Sequence, residues 1–221
     1  MKFLKNKMSE TQTYLTIFFV VTLLVSNIIS AKQVQLPFGI TMTAAIIVFP
    51  ITYILSDVFS ECYGYRWSRI TCYLGFLMNL FMVIVFELAI TTPAPSYWGN
   101  QDAFQVVLGS APRMLFASLL AFIMGDLVND KVFRTMKAKH EDLTGFGSRA
   151  ILSSLCGEIV DSAIFLPLAF IGQMPANTLF VMAITQVSLK VAYEIIIFPV
   201  TRLVAKKVKE IEDEVERSDL S

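Results

Sequence analysis

The sequence predicts an all-α, polytopic membrane protein with six transmembrane helices and both termini in the cytoplasm. Three observations lead there. Of 221 residues, 55% are hydrophobic and 16% are charged. The apolar residues gather into six stretches near the roughly 20 residues that a bilayer helix needs. The charges are segregated: with the N-terminus inside, 15 lysines and arginines fall on the cytoplasmic side and two, Lys32 and Arg113, fall outside. That asymmetry is the positive-inside rule.

The expected spans are about 14–31, 39–58, 69–90, 113–129, 148–171 and 177–204, forming a single domain over 1–221. The first follows Lys2, Lys5 and Lys7. It is too long for a signal-peptide core and has no small-residue cleavage site, so it reads as a retained helix. The segment 91–111 is the longest external connection, and its Tyr97 and Trp98 suit the membrane interface. The segment 131–147 is a basic cytoplasmic loop. The tail, 206–221, reads as a solvated helical extension. Pro50, Pro167 and Pro199 fall inside spans two, five and six, where each removes a backbone hydrogen bond.

Several function classes drop out. A net charge of zero gives no basic surface for nucleic acid. His140 is the single histidine, which leaves no His-based metal site and no Ser-His-Asp triad. Cys62, Cys72 and Cys156 are not spaced as metal ligands and predict no disulfide framework. No Walker A pattern occurs. Gly125-Asp126 is only a fragment of an intramembrane aspartyl protease motif. The chain is therefore read as a non-enzyme without cofactor or metal.

The polar residues are most informative when sorted by depth. Glu158, Asp161, Lys190 and Glu194 fall near the bilayer midplane, where a charge costs about 2.5–3.5 kcal/mol on insertion scales. Steps of three and four put Ser154, Glu158, Asp161 and Ser162 on one helix face, with Phe165 following. The same spacing puts Gln186, Lys190, Tyr193 and Glu194 on one face of the sixth span. Lys190 and Glu194 are one turn apart and can neutralise each other. Glu158 and Asp161 are then left without a cation, a deficit that a donor-rich or cationic ligand would fill. A second layer, Asp57 and Glu61 with Arg69 nearby, lies toward the cytoplasm and reads as a gate, a coupling element or a structural ring.

The run Ser56-Asp57-Val58-Phe59-Ser60-Glu61-Cys62-Tyr63-Gly64-Tyr65, followed by Arg66 and Arg69, resembles the signature of the queuosine precursor transporter family, also called the vitamin-uptake transporter family. Asn27-Ile28-Ile29 with Lys32, Phe49-Pro50, Asp161 with Phe165, and Lys190, Glu194 and Pro199 are similar to it as well. Glu158 departs from the family pattern, where an uncharged polar residue is expected. The resemblance implies import of 7-deazaguanine precursors of queuosine through the bacterial inner membrane. A carboxylate such as Asp161, Glu194 or Glu158 would accept the two neighbouring N–H donors of a guanine-like edge. Lys190, Asn27 or Gln186 would donate to its carbonyl, and Tyr53, Phe165 or Tyr193 would stack on its ring. The expected partners are a small 7-deazapurine and the lipid bilayer, with a homodimer left open. The competing reading is a substrate-binding subunit of an energy-coupling-factor vitamin importer.

Overall fold

The computed structural model describes residues 8–139 and 146–218; within helices, the side chains of Tyr53 and Glu194 lie outside the described residues. In chain order the elements are α1 (Glu10–Ile29), β1 (Gln33–Gln35), β2 (Thr41–Thr43), α2 (Phe49–Val58), α3 (Gly64–Thr91), α4 (Gln101–Leu108), α5 (Ala111–Lys139), α6 (Phe146–Phe170) and α7 (Ala176–Ser218). Among the described residues, four helical segments are long and apolar enough to cross a membrane: Glu10–Ile29, Arg66–Thr91, Gln101–Asn129 and Leu152–Phe170.

The stretch expected as the second span is divided. Its first part pairs in a short antiparallel hairpin, with Val34 opposite Met42 and Gly39 near the tip at φ +76°. A 3-10 turn follows over Ala44–Ile47. Only then does α2 begin, with ten residues, about 15 Å of helix against a hydrocarbon core of about 30 Å. Pro50 therefore sits in the first turn of α2, where its missing N–H has no helical partner to lose. The expectation that Pro50 opens a helix interior is corrected. Pro167 and Pro199 do lie inside helices, α6 and α7.

The chain forms two compact units. One contains α1, residues 44–109 and α7 from Tyr193 onward. Here α1 turns a mostly polar stripe inward, with Gln12, Thr16, Phe19, Thr22 and Ser26 buried. Tyr14, Ile17, Phe18, Val21 and Val25 face outward, as lipid contact requires. The inward hydroxyls need no distant partner, because Thr16 donates to Gln12 O at 2.8 Å and Thr22 to Phe18 O at 2.7 Å. α3 comes close to α1 at Gly75, where a Cβ would meet Leu23 Cδ1 at 2.6 Å. Asn79, buried on α3, accepts from the Asn27 amide and donates to Gly75 O at 2.9 Å.

Between α2 and α3 the chain makes one π-helical turn, Phe59–Tyr63. It ends at Gly64, with φ +80° and ψ 167°, a conformation open essentially to glycine alone. The turn points Phe59 into a cluster with Phe19 and Leu55. Val58 packs in a second cluster with Ala205 and Val208 of α7. This corrects the reading of the tail as a merely solvated extension. Residues 201, 205, 208 and 212 recur at steps of four, three and four, and place an inward stripe beyond the apolar span. The end of that stripe is polar: Glu212 Oε1 accepts from Tyr63 at 2.8 Å and from Ser9 at 2.5 Å. Ser9 also caps α1, accepting from Gln12 N–H at 3.0 Å. Burial, with the hydrogen bond and negative charge of Glu212, holds the Tyr63 phenol well above its ordinary pKa. A group with a raised folded-state pKa stabilises the fold below its unfolded value and loses that contribution as pH rises through the folded one. Tyr63 is thus a donor at every physiological pH. Tyr63→Phe will lower stability by about 1–2 kcal/mol, read as a lower melting temperature in detergent at pH 7. An unchanged melting temperature would show that Ser9 alone satisfies Glu212.

The second unit contains the β1–β2 hairpin, α5, α6 and α7 up to Ala192. α5 and α6 run antiparallel with very small spacing: a Cβ on Gly125 would lie 3.0 Å from Gly157 O, and one on Gly157 would lie 2.9 Å from Gly125 O. Small residues permit such an approach between membrane helices. At the C-terminal end of α6, Arg113 donates from Nε to Leu168 O at 2.6 Å and from Nη2 to Ile171 O at 2.7 Å. Its charge complements the negative end of the α6 dipole.

Candidate functional site

Charge inside the second unit is concentrated where α7 faces α6. Lys190 Nζ donates to Asp161 Oδ2 at 2.8 Å and lies 2.5 Å from Glu158 Oε2. The contact with Glu158 is an ion pair without hydrogen-bond alignment, so Oε2 of Glu158 is buried with its hydrogen-bonding capacity unused. The Lys190 side chain is 11% exposed, those of Glu158 and Asp161 24% and 26%. This corrects the expectation that Glu158 and Asp161 have no cation. The physical reason is reach: the four-carbon lysine stem spans the gap between helices, whereas periodicity along a sequence reports only neighbours on the same helix.

The three groups carry one ammonium and two carboxylates, a net negative site when all are ionised. The i, i+3 spacing on α6 puts both acids on one face. Gln186, one turn before Lys190 on α7, is buried. Ser162, next to Asp161, is also buried, and its hydroxyl has no hydrogen-bond partner among the described residues. Phe165 lies on the same side of α6 and meets Phe170 edge-on, with centroids 6.2 Å apart. Among the described residues no group of His, Cys, Asp and Glu can hold a metal ion.

The other expected site residues lie in the first unit. Asn27 is engaged with Asn79, an interhelical clamp that the sequence did not announce. Tyr193 is partly buried, and Glu194 follows Lys190 by one turn of α7. In the layer expected toward the cytoplasm, Glu61 accepts from Lys209 at 2.5 Å, and Arg69 approaches the Tyr73 hydroxyl at 3.5 Å. The bond to Glu61 holds the Lys209 ammonium above its usual pKa. Asp57 is exposed and takes part in a polar or electrostatic contact. Tyr63, Glu212 and Ser9 were missed as a connected group. The inward stripe of Ala205, Val208 and Glu212 is the signal that would have found them.

A lysine held by two acids among apolar helices is an ionisable site within a multi-pass membrane protein, the kind of site that marks a solute or ion pathway. Residues 43–204 match the family model described as "Putative vitamin uptake transporter", and the chain belongs to that family of transporters. It is 27% identical over 174 residues, 79% of this chain and 76% of the relative, to the "Probable queuosine precursor transporter" of Bacillus subtilis (strain 168). No solved structure matches the chain.

Proposed function

We propose that this transporter imports 7-deazaguanine precursors of queuosine, 7-cyano-7-deazaguanine or 7-aminomethyl-7-deazaguanine, across the bacterial inner membrane. We read it with six crossings and both termini in the cytoplasm, as the charge asymmetry favours. The observation that carries the reading is Lys190 set between Glu158 and Asp161. Such a site presents carboxylate acceptors beside a cationic donor. A guanine-like edge is its complement, with neighbouring N–H donors beside a carbonyl acceptor. In this reading Asp161 accepts from the ring N–H and exocyclic amine, Lys190 turns to the carbonyl, and Glu158 takes the remaining donor. Gln186 and Phe165 border the same face. The name of the Bacillus subtilis relative supports the choice of substrate.

The test uses a host that neither makes nor imports these precursors. With 7-cyano-7-deazaguanine in the medium, the wild-type chain will restore queuosine in transfer RNA and an empty vector will not. Failure of an abundant, membrane-inserted wild-type protein to restore it would overturn the substrate assignment.

A further inference from the structure

The close approach of α5 and α6 has a specific relation to the acid cluster. Ser153, Gly157 and Asp161 follow one another at steps of four along α6, and Ala117, Ala121, Gly125 and Asn129 do the same along α5. The two rows meet with Gly125 lodged between Gly157 and Asp161. A Cβ placed on Gly125 would lie 3.0 Å from Gly157 O and 3.2 Å from Asp161 Cβ. A Cβ on Gly157 would lie 2.9 Å from Gly125 O and 3.1 Å from Asn129 Cβ. The nearest obstacles are backbone oxygens and β-carbons, which no rotamer change can move aside. Gly75 differs, since a Cβ there meets the flexible tip of Leu23.

From this geometry we infer that Gly125 is a positioning residue for the substrate site. The absence of a side chain at 125 lets the α6 backbone settle deep enough for the Asp161 carboxylate to meet Lys190 at 2.8 Å. A methyl group at 125 pushes Asp161 outward by a few tenths of an ångström, and the carboxylate loses its alignment with the ammonium. The atoms nearest to a Cβ at 125 are Gly157 O and the Cβ and Cα of Asp161, so Gly125 acts through the Asp161 backbone and Cβ. Gly157 completes the same contact from the other helix. The inference rests on the proposed binding role of Asp161 and adds the element that fixes its position.

The experiment compares Gly125→Ala, Asp161→Asn and Gly75→Ala with wild type in reconstituted vesicles, by initial uptake of radiolabelled 7-cyano-7-deazaguanine normalised to inserted protein. Gly125→Ala will raise the half-saturating concentration by roughly threefold to tenfold, since a misplacement of about 1 Å costs about 100-fold and the drift here is a few tenths of that. Its maximal rate will stay within about twofold of wild type. Gly75→Ala, the packing control, will leave the half-saturating concentration unchanged. A normal Gly125→Ala beside a defective Asp161→Asn overturns the positioning role alone. A normal Asp161→Asn overturns the site itself. An equal rise in Gly75→Ala shows a general packing effect and also overturns the positioning role. Normalisation to inserted protein keeps the comparison decisive if Gly125→Ala inserts poorly.

Discussion

Lys190→Ala will abolish uptake and destabilise the protein. Removing the ammonium leaves Glu158 and Asp161 on one face of α6, three residues apart, with their shared cation gone. Deleting one partner of a buried ion pair costs about 3–5 kcal/mol. The carboxylates here are about a quarter exposed, so the lower end of that range applies. The loss should appear as a lower melting temperature of the purified protein in detergent. The double variants Lys190→Ala/Glu158→Gln and Lys190→Ala/Asp161→Asn restore the charge balance. They will recover part of the stability while uptake stays absent. Recovery of neither, or a single variant as stable as wild type, would show that the cluster does not govern the stability of this unit.

The second large effect separates the two acids. Asp161→Asn keeps the size of the side chain and removes the charge that meets the aligned N–H of Lys190. A hydrogen bond to a charged group contributes about 1.5–3 kcal/mol, so uptake at low substrate should fall by about 10- to 150-fold. Glu158→Gln disturbs a contact that is close but not aligned, and its loss will be the smaller of the two. Initial rates at substrate concentrations well below saturation give the comparison. The reverse order, with Glu158→Gln the more severe, would make Glu158 the principal acceptor.

Much of this was legible in the sequence, for identifiable reasons. Bilayer helices announce themselves by length and apolarity, which is why α1, α3 and α6 were anticipated. Charges within such stretches are conspicuous, so Glu158, Asp161 and Lys190 stood out at once. Their pairing did not, because helical periodicity places residues on a face without saying which helix that face meets. The broken second span was missed because composition is blind to backbone conformation: 39–58 is predominantly apolar, yet Gly39 and Pro50 punctuate it. Gly125 and Gly157 were equally silent. Glycine is common in membrane helices, and only the approach of a second backbone shows which glycines cannot bear a side chain. Asn27, expected as a donor to the ligand, has an amide that meets another helix, a contact that no spacing along the sequence announces.

The hydrogen bond between Ser9 and Glu212 joins residues 203 positions apart. During synthesis α1 leaves the ribosome and enters the bilayer long before α7 exists. Throughout that interval its inward stripe of Gln12, Thr16, Thr22 and Ser26 has no permanent neighbour from the end of the chain. The contact that joins the cap of α1 to the π-helical turn and to α7 can form only after Glu212 has been made. A nascent chain halted after Val204 lacks Glu212, so Ser9 and Tyr63 wait for their common acceptor until α7 is extended past it.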